Sequence, residues 1–178
     1  VPFSKVSCVC MYVAVMFITV GKHYRMLNDN LSAGELLNSF DELLHLYFEE
    51  ALIKFPKRQK QYLYRKDTVG YSSEIKDVKE WWKRNLNKVV ETPWFLSVSD
   101  FCWDDYPINW EIELNSSTNA HYVAQLSSVP DAEEESIFHK GSKFEVLEVI
   151  ESKKDDLLVK LREVNISTMP DETLFSNS

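Results

Sequence analysis

Glycine is scarce. The chain of 178 residues holds only four, which excludes a glycine-rich loop that cradles phosphates through backbone N–H groups. Cysteine is scarcer still, at three, and its count is odd. Cys8 and Cys10 lie in one apolar run and Cys102 stands alone, so neither a disulfide scaffold nor a zinc spacing is present. The histidines, His23, His45, His121 and His139, are scattered, and no metal site is expected. Excess positive charge is missing too. A formal net charge of −8 argues against a nucleic-acid partner held on a broad basic face, while leaving room for a basic pocket. The apolar run "VSCVCMYVAVMFITV", residues 6–20, is too short for a comfortable transmembrane helix. It has the length of a signal-peptide hydrophobic region, but no small-x-small cleavage site follows. It is either a signal or anchor remnant or, as expected here, a buried element without stable membrane insertion.

Apolar residues are well represented. They make up 44% of the chain, enough to build a core at this length, and aromatics are plentiful. The length suits one domain, or one domain with a small helical appendage. In "LSAGELLNSFDELLHLYFEEALIKFP", Ser32 and Glu35 form a capping-box pattern, and Leu36, Leu37, Phe40, Leu43, Leu44, Tyr47, Phe48, Ala51 and Leu52 recur at helical spacing up to Pro56. A second helix is expected in "SSEIKDVKEWWKRNLNKVV", with Ile75, Val78, Trp82 and Leu86 on one face. "YLYR", "TPWFLSVSDF", "NWEIEL", "KFEVLEVIES" and "DLLVKLREV" read as strands, the last two joined at "KKDD". In "TNAHYVAQLS", Tyr122, Val123 and Leu126 fall at helical spacing, and the tail from Asn165 reads as frayed. Regular βαβ alternation is missing, so the expected class is α+β. The expected organisation is an N-terminal apolar and helical region over 1–56, a core over 57–165 and a tail over 166–178.

Polar residues interrupt the apolar strand signals at three places: Arg65, the pair Ser97 and Ser99, and the pair Glu133 and Glu135. Members of a pair stand two apart, so on an extended backbone they share a face, while Val98 and Glu134 point the other way. Taken singly, each is ordinary: an exposed strand arginine, a polar strand face, a solvated acidic loop. Taken together, an arginine, two serines and two carboxylates can converge in one cleft.

These residues, in this order, resemble the arginine–serine–glutamate class of mono-ADP-ribosyltransferases. That family has an aromatic-containing strand ending in arginine ("YLYR"), a later strand with Ser-x-Ser after an apolar pair ("FLSVS"), and a glutamate-x-glutamate loop entering an apolar strand ("EEESIFHKGSKFEVLEV"). The likeness spans about residues 60–150. The family's catalytic glutamate lies six positions before the glycine, here Gly141, which selects Glu135 rather than Glu134. The chain departs from the pattern at Lys66, where the family often has glycine, at Val98, commonly threonine, and in a short Pro107-bearing segment after Ser99.

The resemblance implies N-terminal helices packed on a β-sandwich-like core of two mostly antiparallel sheets, with NAD bound in the cleft between them as substrate. It implies transfer of ADP-ribose from NAD to an arginine of a target protein, with release of nicotinamide, by a monomeric toxin, secreted effector or phage-encoded modifier. Glu135 would stabilise the cationic transition state, Glu133 would hold the acceptor guanidinium, Arg65 would bind the pyrophosphate, Ser97 would orient Glu135, and Ser99 would support the strand or the ligand. Two other readings remain open: an enzyme that hydrolyses NAD with little transfer, and an inactive domain of this fold used for binding, which Lys66 and the short segment after Ser99 favour.

Overall fold

The computed structural model describes residues 39–67, 75–102, 106–124, 134–152 and 156–174. The apolar run over 6–20, the Ser32–Glu35 capping pattern, Glu133, Leu126 and the "KKDD" turn's central residues lie outside these segments. Among the described residues no helix is long and apolar enough to cross a membrane.

Helix α1 (Ser39–Leu52) buries Phe48, Ala51 and Leu52, as its periodicity requires, and Phe48 meets Phe95 edge-on at 4.5 Å. It stops before Pro56, because Lys54 and Phe55 donate to the carbonyls of Ala51 and Leu52 and tighten the chain into i→i+3 turns. Tyr47, expected on the buried face, is exposed. Helix α2 (Ile75–Arg84) buries Val78, Trp81 and Trp82. Trp82 stands edge-on between Trp81 (5.0 Å) and Trp110 (5.1 Å), which seats the helix on the sheet. Leu86, also expected on that face, is exposed. The helix has ended by then, and Asn87 turns the chain away with a left-handed φ of 61°.

The strands are β1 (Tyr62–Asp67), β2 (Val89–Glu91), β3 (Leu96–Val98), β4 (Ile108–Glu113), β5 (Ala120–Tyr122), β6 (Ser136–Phe138), β7 (Lys143–Glu151), β8 (Leu157–Glu163) and β9 (Glu172–Thr173). They form a six-stranded sheet in the order β1-β4-β8-β7-β2-β9 and a three-stranded sheet in the order β3-β6-β5. The β4–β8 and β2–β9 pairs are parallel and the others antiparallel, so the class is α+β with two mostly antiparallel sheets. Alternation drives the large sheet. Ile108, Trp110 and Ile112 of β4 and Leu157, Val159 and Leu161 of β8 face the core. Their neighbours form a charged ladder on the outer face, including Lys160 with Glu148 at 2.9 Å and Arg162 with Glu113 at 3.0 Å. Leu96, Val98, Ala120 and Phe138 of the small sheet join the same core, where Phe138 meets Phe144 of β7 edge-on at 5.1 Å.

Two expectations need correction. Tyr122 does not begin a helix: Ala120–Tyr122 is strand β5, paired with β6 and held on its other side by the Tyr122 N–H bond to the Pro56 carbonyl at 2.9 Å, and the rest of the expected helix beyond Ala124 lies outside the described residues. The tail is not frayed through Leu174. Glu172–Thr173 extends the sheet as β9, and Leu174 is buried. Backbone bonds between Asp171 and Val89 and between Leu174 and Glu91 hold it there. The asparagines of the two N-x-S triplets, Asn115 and Asn165, both close Asx turns, accepting the N–H of Ser117 and Ser167 respectively.

Candidate active site

Among the described residues, a backbone bridge joins the edges of the two sheets. Tyr64 of β1 and Ser99, just past β3, exchange backbone hydrogen bonds of 2.7 and 2.8 Å. Tyr64, Arg65, Lys66, Ser97, Val98, Ser99 and Glu135 line a cavity of about 130 Å³ at this junction. Small-molecule sites run to roughly 300–1,000 Å³, so the cavity is smaller than a site that encloses a whole dinucleotide.

Glu135 lies immediately before β6, with its carbonyl fixed by the Val123 N–H at 3.0 Å. The β3–β6 register sets Ser97 opposite Ile137, which makes Glu135 its diagonal neighbour on the same face. The Ser97 hydroxyl donates to Glu135 Oε1 at 2.6 Å. A carboxylate held by so short a bond has its orientation set before any ligand arrives. Gly141 matters to this placement. With φ 77° it turns the chain from β6 in one sheet to β7 in the other, and its N–H donates to the Thr92 carbonyl at 2.8 Å.

Arg65, opposite Trp110 in the β1–β4 register, is held on two sides. Its Nη1 donates to the Ser97 carbonyl at 2.8 Å and its Nη2 pairs with Asp67 Oδ1 at 2.7 Å. The guanidinium lies 5.5 Å from the centre of the Trp110 ring. Burial pushes the Asp67 carboxyl above the usual carboxylate range, and the pull of Arg65 does not cancel it. Lys66 extends over the Tyr106 ring at 4.7 Å.

The structure thus brings Arg65, Ser97, Ser99 and Glu135 together, and Glu133 lies outside the described residues. Ser99 is buried, and its hydroxyl accepts the Phe101 N–H at 3.1 Å. The side chain of Val98 is buried in the hydrophobic core, which explains an apolar residue between the serines. Glu134 points elsewhere as well, bonding Arg58 at 2.6 Å.

Sequence reasoning missed Asp67, Arg58 and Asp100. Asp67 was legible, since it stands two residues past Arg65 on the same strand and shares its face. Arg58 and Asp100 were not, because their ion pair joins positions 42 residues apart without any local pattern. Among the described residues no group of three or more His, Cys, Asp or Glu could hold a metal ion.

Neither a family model nor a curated protein matches the chain. Solved structures do. The Clostridium limosum C3 exoenzyme superposes with a TM-score of 0.71 at 15% identity, covering 87% of this chain and 85% of its own. An ADP-ribosyltransferase from Clostridium botulinum gives 0.70 at 14%, covering 86% and 85%. Vis toxin, an ADP-ribosyltransferase from Vibrio splendidus, gives 0.65 at 19%, covering 91% and 76%. At such identities the likeness speaks to architecture, and the two sheets, their junction and the helices packed on them make this chain one with the ADP-ribosyltransferase fold.

Proposed function

We propose that the protein transfers ADP-ribose from NAD to an arginine side chain of a target protein and releases nicotinamide. The observation that carries this reading is the hydrogen bond from Ser97 to Glu135 in a cavity that also contains Arg65. The residues suit the substrate. Arg65 brings to the cavity a cation whose planar fork matches phosphate oxygens. Glu135 brings the carboxylate that cleavage of the nicotinamide–ribose bond needs. As that bond breaks, its electrons leave with nicotinamide and positive charge grows on the ribose, as in glycoside hydrolysis. A fixed carboxylate nearby lowers the barrier because the charge appears only in the transition state. A guanidino nitrogen of the acceptor then bonds the ribose carbon and gives up a proton to Glu133, the acceptor-side carboxylate.

Two points favour arginine as acceptor. Glu133 and Glu135 keep the glutamate-x-glutamate spacing. The fold neighbour Vis has been solved in complex with agmatine, a small guanidine, at 19% identity to this chain. The test is incubation with labelled NAD and either agmatine or a mixture of proteins. The expected products are free nicotinamide and ADP-ribosylated guanidine or arginine, mapped by mass spectrometry. Release of nicotinamide with no labelled acceptor would leave an NAD glycohydrolase instead.

A second reading, binding without turnover, has one observation in its favour: Lys66 is among the residues that line the cavity. It predicts saturable NAD binding with no release of nicotinamide.

A further inference from the structure

Arg58 is not among the residues that line the cavity, yet it bonds Asp100 and Glu134, the neighbours in sequence of the lining residues Ser99 and Glu135. Its backbone N–H donates to the Ala120 carbonyl at 2.9 Å, which fixes the residue on the edge of β5. From there the guanidinium, largely buried, lies 4.2 Å over the Tyr122 ring. Its Nε donates to Asp100 Oδ1 at 3.0 Å, and its Nη2 bonds both Asp100 Oδ2 and Glu134 Oε2. Asp100 follows Ser99 directly, and Glu134 precedes Glu135 directly. One side chain therefore joins the chain leaving the Ser-Val-Ser segment to the chain entering the glutamate strand. Lys60 adds a bond to Asp100 at 3.1 Å, but as a single point of charge at one carboxylate.

Glu134 carries a second sign that this junction is held against a local preference. Its φ is 39°, in the left-handed region that non-glycine residues avoid. The twist sends Glu134 to Arg58 while the next carboxylate reaches Ser97. Burial pushes the Asp100 carboxyl up, but hydrogen bonds from Arg58 and Lys60 outweigh it and hold it below the usual carboxylate range, so the anchor is charged at neutral pH.

We propose that Arg58 is a positioning residue for Glu135, clamping Asp100 and Glu134 so that the Glu135 carboxylate stays in register with Ser97. This rests on the reading of Glu135 as the group that serves NAD. Arg58→Met keeps the apolar stem and removes the bonds to Asp100 and Glu134. In the full chain it should lower kcat for nicotinamide release by roughly 10- to 100-fold, the usual scale for a misplaced reacting group, with KM for NAD changed by less than about threefold.

Two readouts separate positioning from mere support of the fold. In a Glu135→Gln background, Arg58→Met should cause no further loss of kcat, because the group it acts through is already disabled. An equal further loss would overturn the proposal. The amide of Val123, bonded to the Glu135 carbonyl, should exchange its proton at least about tenfold faster in Arg58→Met, while core amides of β4 and β8 keep their protection. Unchanged exchange at Val123 would also overturn it. If Arg58→Met does not fold, Glu134→Ala removes the more exposed partner, and the same exchange criterion applies. If the wild-type protein releases no nicotinamide, the functional reading fails separately, and exchange at Val123 still decides whether Arg58 holds this segment.

Discussion

The Ser97 hydroxyl donates a 2.6 Å hydrogen bond to Glu135, bringing together residues 38 apart in sequence across two neighbouring strands. The bond fixes the orientation of one carboxylate oxygen. Ser97→Ala removes it without changing the strand. A hydrogen bond to a charged group is worth about 1.5–3 kcal/mol, so kcat for nicotinamide release should fall by roughly 10- to 100-fold. Steady-state kinetics checks this. A variant with wild-type kcat would mean that Glu135 needs no help to keep its orientation.

In the proposed function the acidic pair divides two activities. Glu133→Gln should abolish modification of arginine while leaving much of the NAD cleavage to ADP-ribose and nicotinamide, since water needs no carboxylate to orient a guanidinium. The check is free nicotinamide measured beside labelled protein under the same conditions. A parallel fall of both would move Glu133 to the NAD side or to the fold.

Stability should decline with acid, and histidine is the reason. Burial lowers the His139 pKa from 6.5 to about 4, and burial lowers His121 and His45 as well. His121 and His139 stand ring to ring at 5.1 Å, so charging one opposes charging the other. A depressed folded pKa means that the unfolded chain takes up protons first. The contribution of these rings is therefore complete above pH 6.5 and is lost as pH falls toward about 4. His139 alone is worth about 1–3 kcal/mol over that window, the lower figure allowing for partial exposure. Buried Glu163 and Asp67 work in the opposite sense, because burial raises their pKa values and the folded state keeps their protons longer. The melting temperature should drop between about pH 7 and pH 5, and His139→Asn should flatten the slope. Identical slopes for wild type and variant would remove His139 from this account.

Much of the fold could be read from alternation and periodicity. Ile108, Trp110 and Ile112 mark β4, and Leu157, Val159 and Leu161 mark β8, because each strand buries one face. The same period-two rule put Ser97 with Ser99 and Glu133 with Glu135, whereas the reach of Ser97 to Glu135 was implied by the family resemblance. Short elements defeated it. Three residues of β5 cannot distinguish a period of 2 from one of 3.6, and β9 is held by backbone bonds to Val89 and Glu91 rather than by a side-chain pattern. Leu86 was assigned to α2 because periodicity does not show where Asn87 turns the chain. The clamp at Arg58 left no trace, since Asp100 and Glu134 lie 42 and 76 residues away and only the tertiary fold unites them.

The most direct measurement is nicotinamide release from NAD by wild type and by Glu135→Gln, with NAD affinity determined for both. The substitution keeps the shape and removes the charge. Wild type should cleave NAD, and the variant should lose 10²-fold or more in kcat, about 3 kcal/mol for a preorganised electrostatic contact, with affinity nearly unchanged. A variant that cleaves NAD at close to the wild-type rate would contradict the assignment of Glu135 and the functional reading built on it.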